Sequence, residues 1–243
     1  VRGWVGGKQS NLIVPTIRTE ATRAIEFKGR AHTTKSALCY SYFCNWVDGI
    51  SEVRSGKIKK WLEFSVDKSE LSEEIGALIT SSGNIKSKAG MNDDILLSKA
   101  LIILDPDAPV RYRHISTKVG GVGQLLCDAW RNQNQSDLQT ISEMISNNIA
   151  DFKLQRLPDN DKNERWILQR LKDYIKVSTF GFGIERCLYD LNPNLPCQSM
   201  MMSDQFVVDI QRLLYFLNDN ASRLSSEHPV DRHIAAFIAS KLD

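Results

Sequence analysis

The stretch SDLQTISEMISNNIADF, residues 136–152, decides the fold class. Leu138, Ile141, Ile145, Ile149 and Phe152 recur at steps of three and four, which puts them on one stripe of an α-helix. Ser136 followed by Gln139 has the pattern of a capping box, in which the two side chains satisfy free N–H groups at a helix start. Pro158 and the turn-rich residues 159–163 close the segment.

The same period continues downstream. Trp166, Ile167, Leu171, Tyr174 and Ile175 predict a second helix, and Gly183–Leu191 a third that Pro193 and Pro196 terminate. Phe206, Val207, Ile210, Leu213, Leu214, Leu217 and Ala221 form the strongest stripe, with Ser203 as its expected N-cap. A last helix is expected from about Pro229, burying Val230, Ile234, Phe237, Ile238 and Leu242. Short connections favour antiparallel neighbours, so the fold expected is mainly α, with an antiparallel helical bundle in the C-terminal half.

The first half is less regular. Thr34–Val47 predicts a helix, Asp67 with Glu70 starts another that stops near Gly83, and Asn92 caps a third holding Ile95, Leu96 and Leu101. Ile25 with Phe27, and Leu62 with Phe64 and Val66, alternate instead. A small β element is therefore expected in the first hundred residues, with α+β as the alternative class. Ala100–Leu104 fits the end of either a helix or a strand. A single domain over residues 1–243 is expected. The subdivision that competes with it, hinged at Lys118–Gly123, separates a basic, aromatic-rich region 1–118 from a helical bundle 119–243.

Charge is divided unevenly along this frame. Residues 1–60 hold 11 Lys/Arg against 4 Asp/Glu, while the remaining 183 hold 20 against 25, beneath a formal net charge of only +2. The basic side chains, among them Arg18, Arg23 and Lys28, are interleaved with Phe27, Tyr40, Tyr42, Phe43, Trp46 and Trp61. Cations release counterions from phosphates and aromatic rings stack on bases, so this quarter is a candidate contact surface for nucleic acid or an acidic protein. Arg30, Lys35, Arg54, Lys57, Lys59 and Lys60 are the residues expected to make that contact. The expected function is a non-enzymatic binding or regulatory module.

Two alternatives stand beside it. Arg223 and His228 are separated by four residues, a spacing that resembles the signature of helical HEPN-type ribonucleases. That resemblance implies an arginine and a histidine that position and cleave an RNA phosphodiester, usually across a dimer interface. Here Arg223 falls at an expected helix end and His228 just before Pro229, whereas the family motif opens a helix. The other alternative is a structural or homo-oligomerising helical protein.

Five cysteines are scattered without a zinc-type spacing, so buried, reduced thiols and a cytoplasmic location are expected, with no cofactor and no metal site. The longest apolar runs are too short to span a bilayer, and no signal peptide is visible. Gly6, Gly7, Lys8 and Ser10 share only part of a phosphate-loop pattern, and Gly120, Gly121 and Gly123 precede a helix that could hold an anion. Met200, Met201 and Met202 are expected to fill core gaps.

Overall fold

Two turns with positive φ set the two small hairpins found among the described residues. In the first, Lys28 (φ 51) and Gly29 (φ 70) join β1 (Ile25–Phe27) to β2 (Arg30–His32) in an antiparallel pair. Two successive positive-φ residues match the right-handed twist of the flanking strands. In the second, Arg113 (φ 52) helps turn β3 (Val110–Tyr112) into β4 (Ile115–Thr117), a hairpin that hydrophobic alternation does not announce. The computed structural model describes residues 20–83, 89–157, 162–221 and 230–242. Everything else regular among them is helical, as the mainly α class requires.

Five helices follow the first hairpin: α1 (Lys35–Cys44), α2 (Trp46–Arg54), α3 (Lys57–Phe64), α4 (Ser69–Gly83) and α5 (Ala89–Leu104). Thr34 caps α1 by accepting from the Ala37 N–H. The single helix expected over Thr34–Val47 is in fact two, because Asn45 leaves helical geometry (φ −129, ψ 63) and spends its side-chain amide on the Ser41 carbonyl. The alternation of Leu62, Phe64 and Val66 is not a strand. Ile58, Trp61 and Leu62 are the buried stripe of α3, and Phe64 points to solvent. Ala100–Leu104 resolves as the end of α5, whose last turns are apolar on every side because both halves of the molecule pack on it.

After β4 come a 3₁₀ turn (Val119–Gly121), α6 (Val122–Arg131), α7 (Gln135–Ser146), α8 (Ile149–Leu154), α9 (Lys162–Tyr174), α10 (Ile184–Leu191), α11 (Ile210–Asp219) and α12 (Arg232–Leu242). The stripe over 138–152 is broken after Ser146 by Asn148 in the left-handed region (φ 60). Its cap is Asn134, which accepts from the Asp137 N–H, and not Ser136. Asp209 caps α11 in place of the expected Ser203, and Asp231 caps α12 through the Ile234 N–H. Pro229 lies outside the described residues. Helix α10 packs against α12, α9 and α6 and is the centre of this half.

Buried apolar side chains form two clusters, one from Ala21 to Leu104 and one from Ile102 to Phe237. They meet along α5, where polar contacts fix their mutual position. Asp94 is 9% exposed and accepts from Trp46 Nε1 at 2.6 Å and from Arg113 Nε at 2.7 Å. The same guanidinium reaches Glu143 of α7 at 2.8 Å. Beside it the Trp46 ring meets Tyr112 edge-on at 6.4 Å, and Arg111 lies over the Tyr40 and Phe43 rings at 5.8 and 5.6 Å. One turn beyond α5, the buried Lys153 amine donates to the Pro106 and Ala108 carbonyls, holding the chain reversal into β3.

Removing an acceptor from a part-buried hydrogen-bond network leaves its donors unsatisfied at a cost of about 1–3 kcal/mol. Asp94→Ala takes the acceptor from Trp46 Nε1 and from one edge of Arg113, which Glu143 still pairs, and is expected to lower unfolding stability by about 1–3 kcal/mol. Glu63→Ala, on the exposed side of α3, should change it by less than about 0.5 kcal/mol. Denaturant titration of the two variants checks this, and equal midpoints would refute the role given to Asp94.

Candidate functional site

The cations of the basic quarter separate into those already neutralised and those that are open. Arg54 pairs with Asp93, and Lys28 with Asp48 at 2.6 Å. Lys57 meets Glu52 at 3.1 Å and donates to the Glu26 carbonyl at 2.8 Å. Arg23, Arg30, Lys35, Lys59 and Lys60 have no ion pair among the described residues. Of the six residues expected from the sequence, Arg30, Lys35, Lys59 and Lys60 are thus open, while Arg54 and Lys57 are tied.

These side chains do not share one patch. Residues 22–26 run along α3 in the opposite direction: Thr22 N–H donates to the Ser65 carbonyl, Trp61 Nε1 to the Arg23 carbonyl, and Lys57 to Glu26. Arg23 is consequently held beside the end of α3 that carries Lys60 and Phe64. Phe64 is 75% exposed and lies one helical turn on from Lys60, so cation and ring are neighbours on the surface. Lys59 is on the α4 side, its stem against Gly76. Lys35 begins α1 next to Glu20, which accepts from the Lys35 N–H, and Arg30 follows the hairpin tip.

The aromatic residues are divided as well. Tyr42 and Trp61 are buried, and Trp46 is committed to Asp94. Tyr40 is 60% exposed, with Arg111 over its ring. Phe64, which alternation had assigned to a strand, is the most exposed ring of this region. The excess positive charge of residues 1–60 is local. Described residues 20–83 carry nine Lys/Arg and nine Asp/Glu, because Glu63, Asp67, Glu70, Glu73 and Glu74 follow directly. Arg18 and the rest of residues 1–19, Gly6 to Ser10 included, lie outside the described residues.

Other chemically suggestive groups have structural work. Arg223 and His228 lie outside the described residues, so the ribonuclease-like pair has no geometry here. His114 pairs with Asp137 at 2.7 Å. His32 is buried. His233 shares a 3.0 Å hydrogen bond with Tyr189 Oη, which also accepts from the Gln198 N–H. Ser199 Oγ donates to Asp231 at 2.6 Å, so this polar cluster ties the loop after α10 to the start of α12. Burial pushes the Cys39, Cys187 and Cys197 thiols up, which makes them poor nucleophiles.

Gly121, just before α6, and Gly123, in its first turn, are packing residues. A Cβ on Gly121 would come within 2.5 Å of Thr117 Oγ1, and one on Gly123 within 2.7 Å of the Leu191 carbonyl. A further cleft of about 220 Å³ lies between α9, α10 and the end of α12, with Trp166, Arg170, Arg186 and Lys241 in its lining. Arg170 stacks on Trp166 at 4.3 Å and bonds Tyr174 Oη, and Arg186 binds Asp190 at 2.8 Å. Among the described residues, no three His, Cys, Asp or Glu side chains are grouped as metal ligands would be. No helix of the described residues is long and apolar enough to cross a membrane. No protein-family model, curated protein or solved structure matches the chain.

Burial holds His233 and His32 below the ordinary histidine value of 6.5, with Arg30 adding to the effect at His32. Their folded pKa values lie under the unfolded one, so the unfolded chain takes up more protons as pH falls through about 6.5. Stability is accordingly full above that pH and declines on acidification. His233→Asn keeps an acceptor near Tyr189 and removes the titration, so its stability should fall less between pH 7 and 5 than that of the parent. An unchanged pH slope in denaturant titrations would contradict this.

Proposed function

We propose that this chain is a non-enzymatic helical binding module that contacts an anionic partner, nucleic acid or an acidic protein surface, through its basic N-terminal quarter. The observation that carries the reading is the surface formed by Arg23, Lys60 and Phe64 at the end of α3. Lys60 precedes the exposed Phe64 ring by one helical turn, and the Arg23 backbone is bonded to Trp61 at the same end of α3; open cations near an exposed ring are the combination that attracts phosphates and stacks on unpaired bases. Lys35 and Arg30, at the start of α1 and beside the hairpin tip, and Lys59, on the α4 side of α3, are further open cations outside that surface. Since the surrounding 64 residues are electrically balanced, the attraction acts at short range and is expected to be salt-sensitive.

The test is fluorescence anisotropy with a labelled single-stranded RNA, a labelled single-stranded DNA and a labelled polyglutamate in low salt. The combined variant Arg23→Glu, Lys59→Glu, Lys60→Glu should weaken binding by at least about tenfold, given that each phosphate contact carries a salt-dependent share of the affinity. Phe64→Ala should weaken nucleic-acid binding selectively, by about 1–3 kcal/mol if the ring stacks on a base. Absence of binding to all three probes would overturn the proposal. Cleavage of the RNA, lost on Arg223→Ala or His228→Ala, would replace it with the nuclease reading.

A further inference from the structure

Two cations lie against one ring where the apolar clusters adjoin. Phe152 packs against both clusters, with the Lys99 amine 5.0 Å from its centre and the Arg156 guanidinium 3.7 Å. Arg156 is balanced by Glu74 of α4. Lys99, on α5, is not. It lines a cleft of about 280 Å³ together with Lys172 of α9, and both lysines are half-buried without an ion pair among the described residues. No carboxylate side chain among the described residues lines this cleft. Burial and the like charges of Arg156 and Lys172 hold the Lys99 amine below the ordinary lysine value.

The remaining walls suit an organic anion. Leu78 of α4, with Ile95 and Leu96 of α5, supplies apolar surface. Ser146 and Asn147 close α7 at the cleft, and the Asn147 amide has one N–H beyond that given to the Glu143 carbonyl. The ends of α4, at Ser81 and Ser82, and of α7 lie in the lining. A helix C-terminus carries about half a negative charge, so the two offset about one of the two positive charges and leave the cleft cationic. We propose that this cleft binds a small phosphomonoester, its phosphate held by Lys99 and Lys172 and its organic part against Leu78, Ile95 and Leu96. A phosphate offers three terminal oxygens, enough for both ammonium groups and the donors of Ser146 and Asn147, whereas a carboxylate offers two. A cleft of this size admits a small molecule and excludes a folded partner. It shares no residue with the surface of Arg23, Lys60 and Phe64, so the two are separable by mutation.

Ligand-observed NMR titration of the full chain with phenyl phosphate is the measurement, with benzoate and phenol as comparison probes. The Kd for phenyl phosphate should be about 1 mM or tighter, a level within reach of a ligand of this size. Lys99→Met and Lys172→Gln should each weaken binding about tenfold, the cost of one charge-assisted contact. Lys68→Gln, at an exposed lysine outside the cleft, should leave it unchanged. Without ligand, Lys99→Met should melt no lower than the parent, because it keeps an apolar stem and removes a charge repelled by its neighbours. A lower melting temperature would mean that the amine serves the fold, and would overturn the proposal. So would phenyl phosphate that fails to bind at about 10 mM, or that binds both variants as tightly as the parent. Benzoate or phenol bound as tightly as phenyl phosphate overturns it as well.

Discussion

The mutual placement of the two apolar clusters depends on one carboxylate. Asp94 lies on α5, the helix that both apolar clusters share, and it accepts from Trp46 on one side and Arg113 on the other. Apolar packing alone is non-directional, and two clusters could slide along a smooth shared helix. Directional bonds to a nearly buried charge prevent that, because any slip would leave a carboxylate or a guanidinium without a partner. The extension from Arg113 to Glu143 carries the constraint from the first five helices to α7. Arg111, laid across Tyr40 and Phe43, closes the same junction from the other face of β3.

That junction also decides which aromatic residues remain for recognition. Trp46 and Phe43 look in the sequence like rings set among cations, but they serve the contact between clusters. Phe64 is left free because α3 needs only Ile58, Trp61 and Leu62 to seat itself. The same division operates on charge. Arg54 and Lys57 are spent on Asp93 and Glu52, whose carboxylates come from α5 and α2. Net charge along the chain therefore overstates the positive surface, and the functional reading rests on the smaller set of cations that the fold leaves unpaired.

How far the fold was legible follows the reach of each signal. Helices α9, α10 and α4 were readable because their apolar residues repeat at helical spacing, and proline or glycine also marks the ends of α10 and α4. The break at Asn45 was not, since a helix of the same average composition continues through it and only the tertiary demand on Trp46 separates the two. Nor was β3 to β4, whose buried Arg111 and Tyr112 disrupt the alternation a half-buried strand shows. The caps were misplaced by two residues at α7 and six at α11, where Asn134 and Asp209 compete successfully with nearby serines. For the candidate site, residue type identified the basic segment. Pairing could not be read, because the acids that neutralise it are up to 39 positions away.

The central claim is that only the unpaired cations of the basic quarter engage the partner, and the salt dependence of binding tests it most directly. The slope of log K against log salt for a single-stranded nucleic acid counts the phosphate contacts, at about 0.7 per contact. Lys60→Gln should reduce the slope by about that amount, and Arg54→Gln should leave it unchanged. Equal losses from both substitutions, or a slope near zero for the parent chain, would contradict the account.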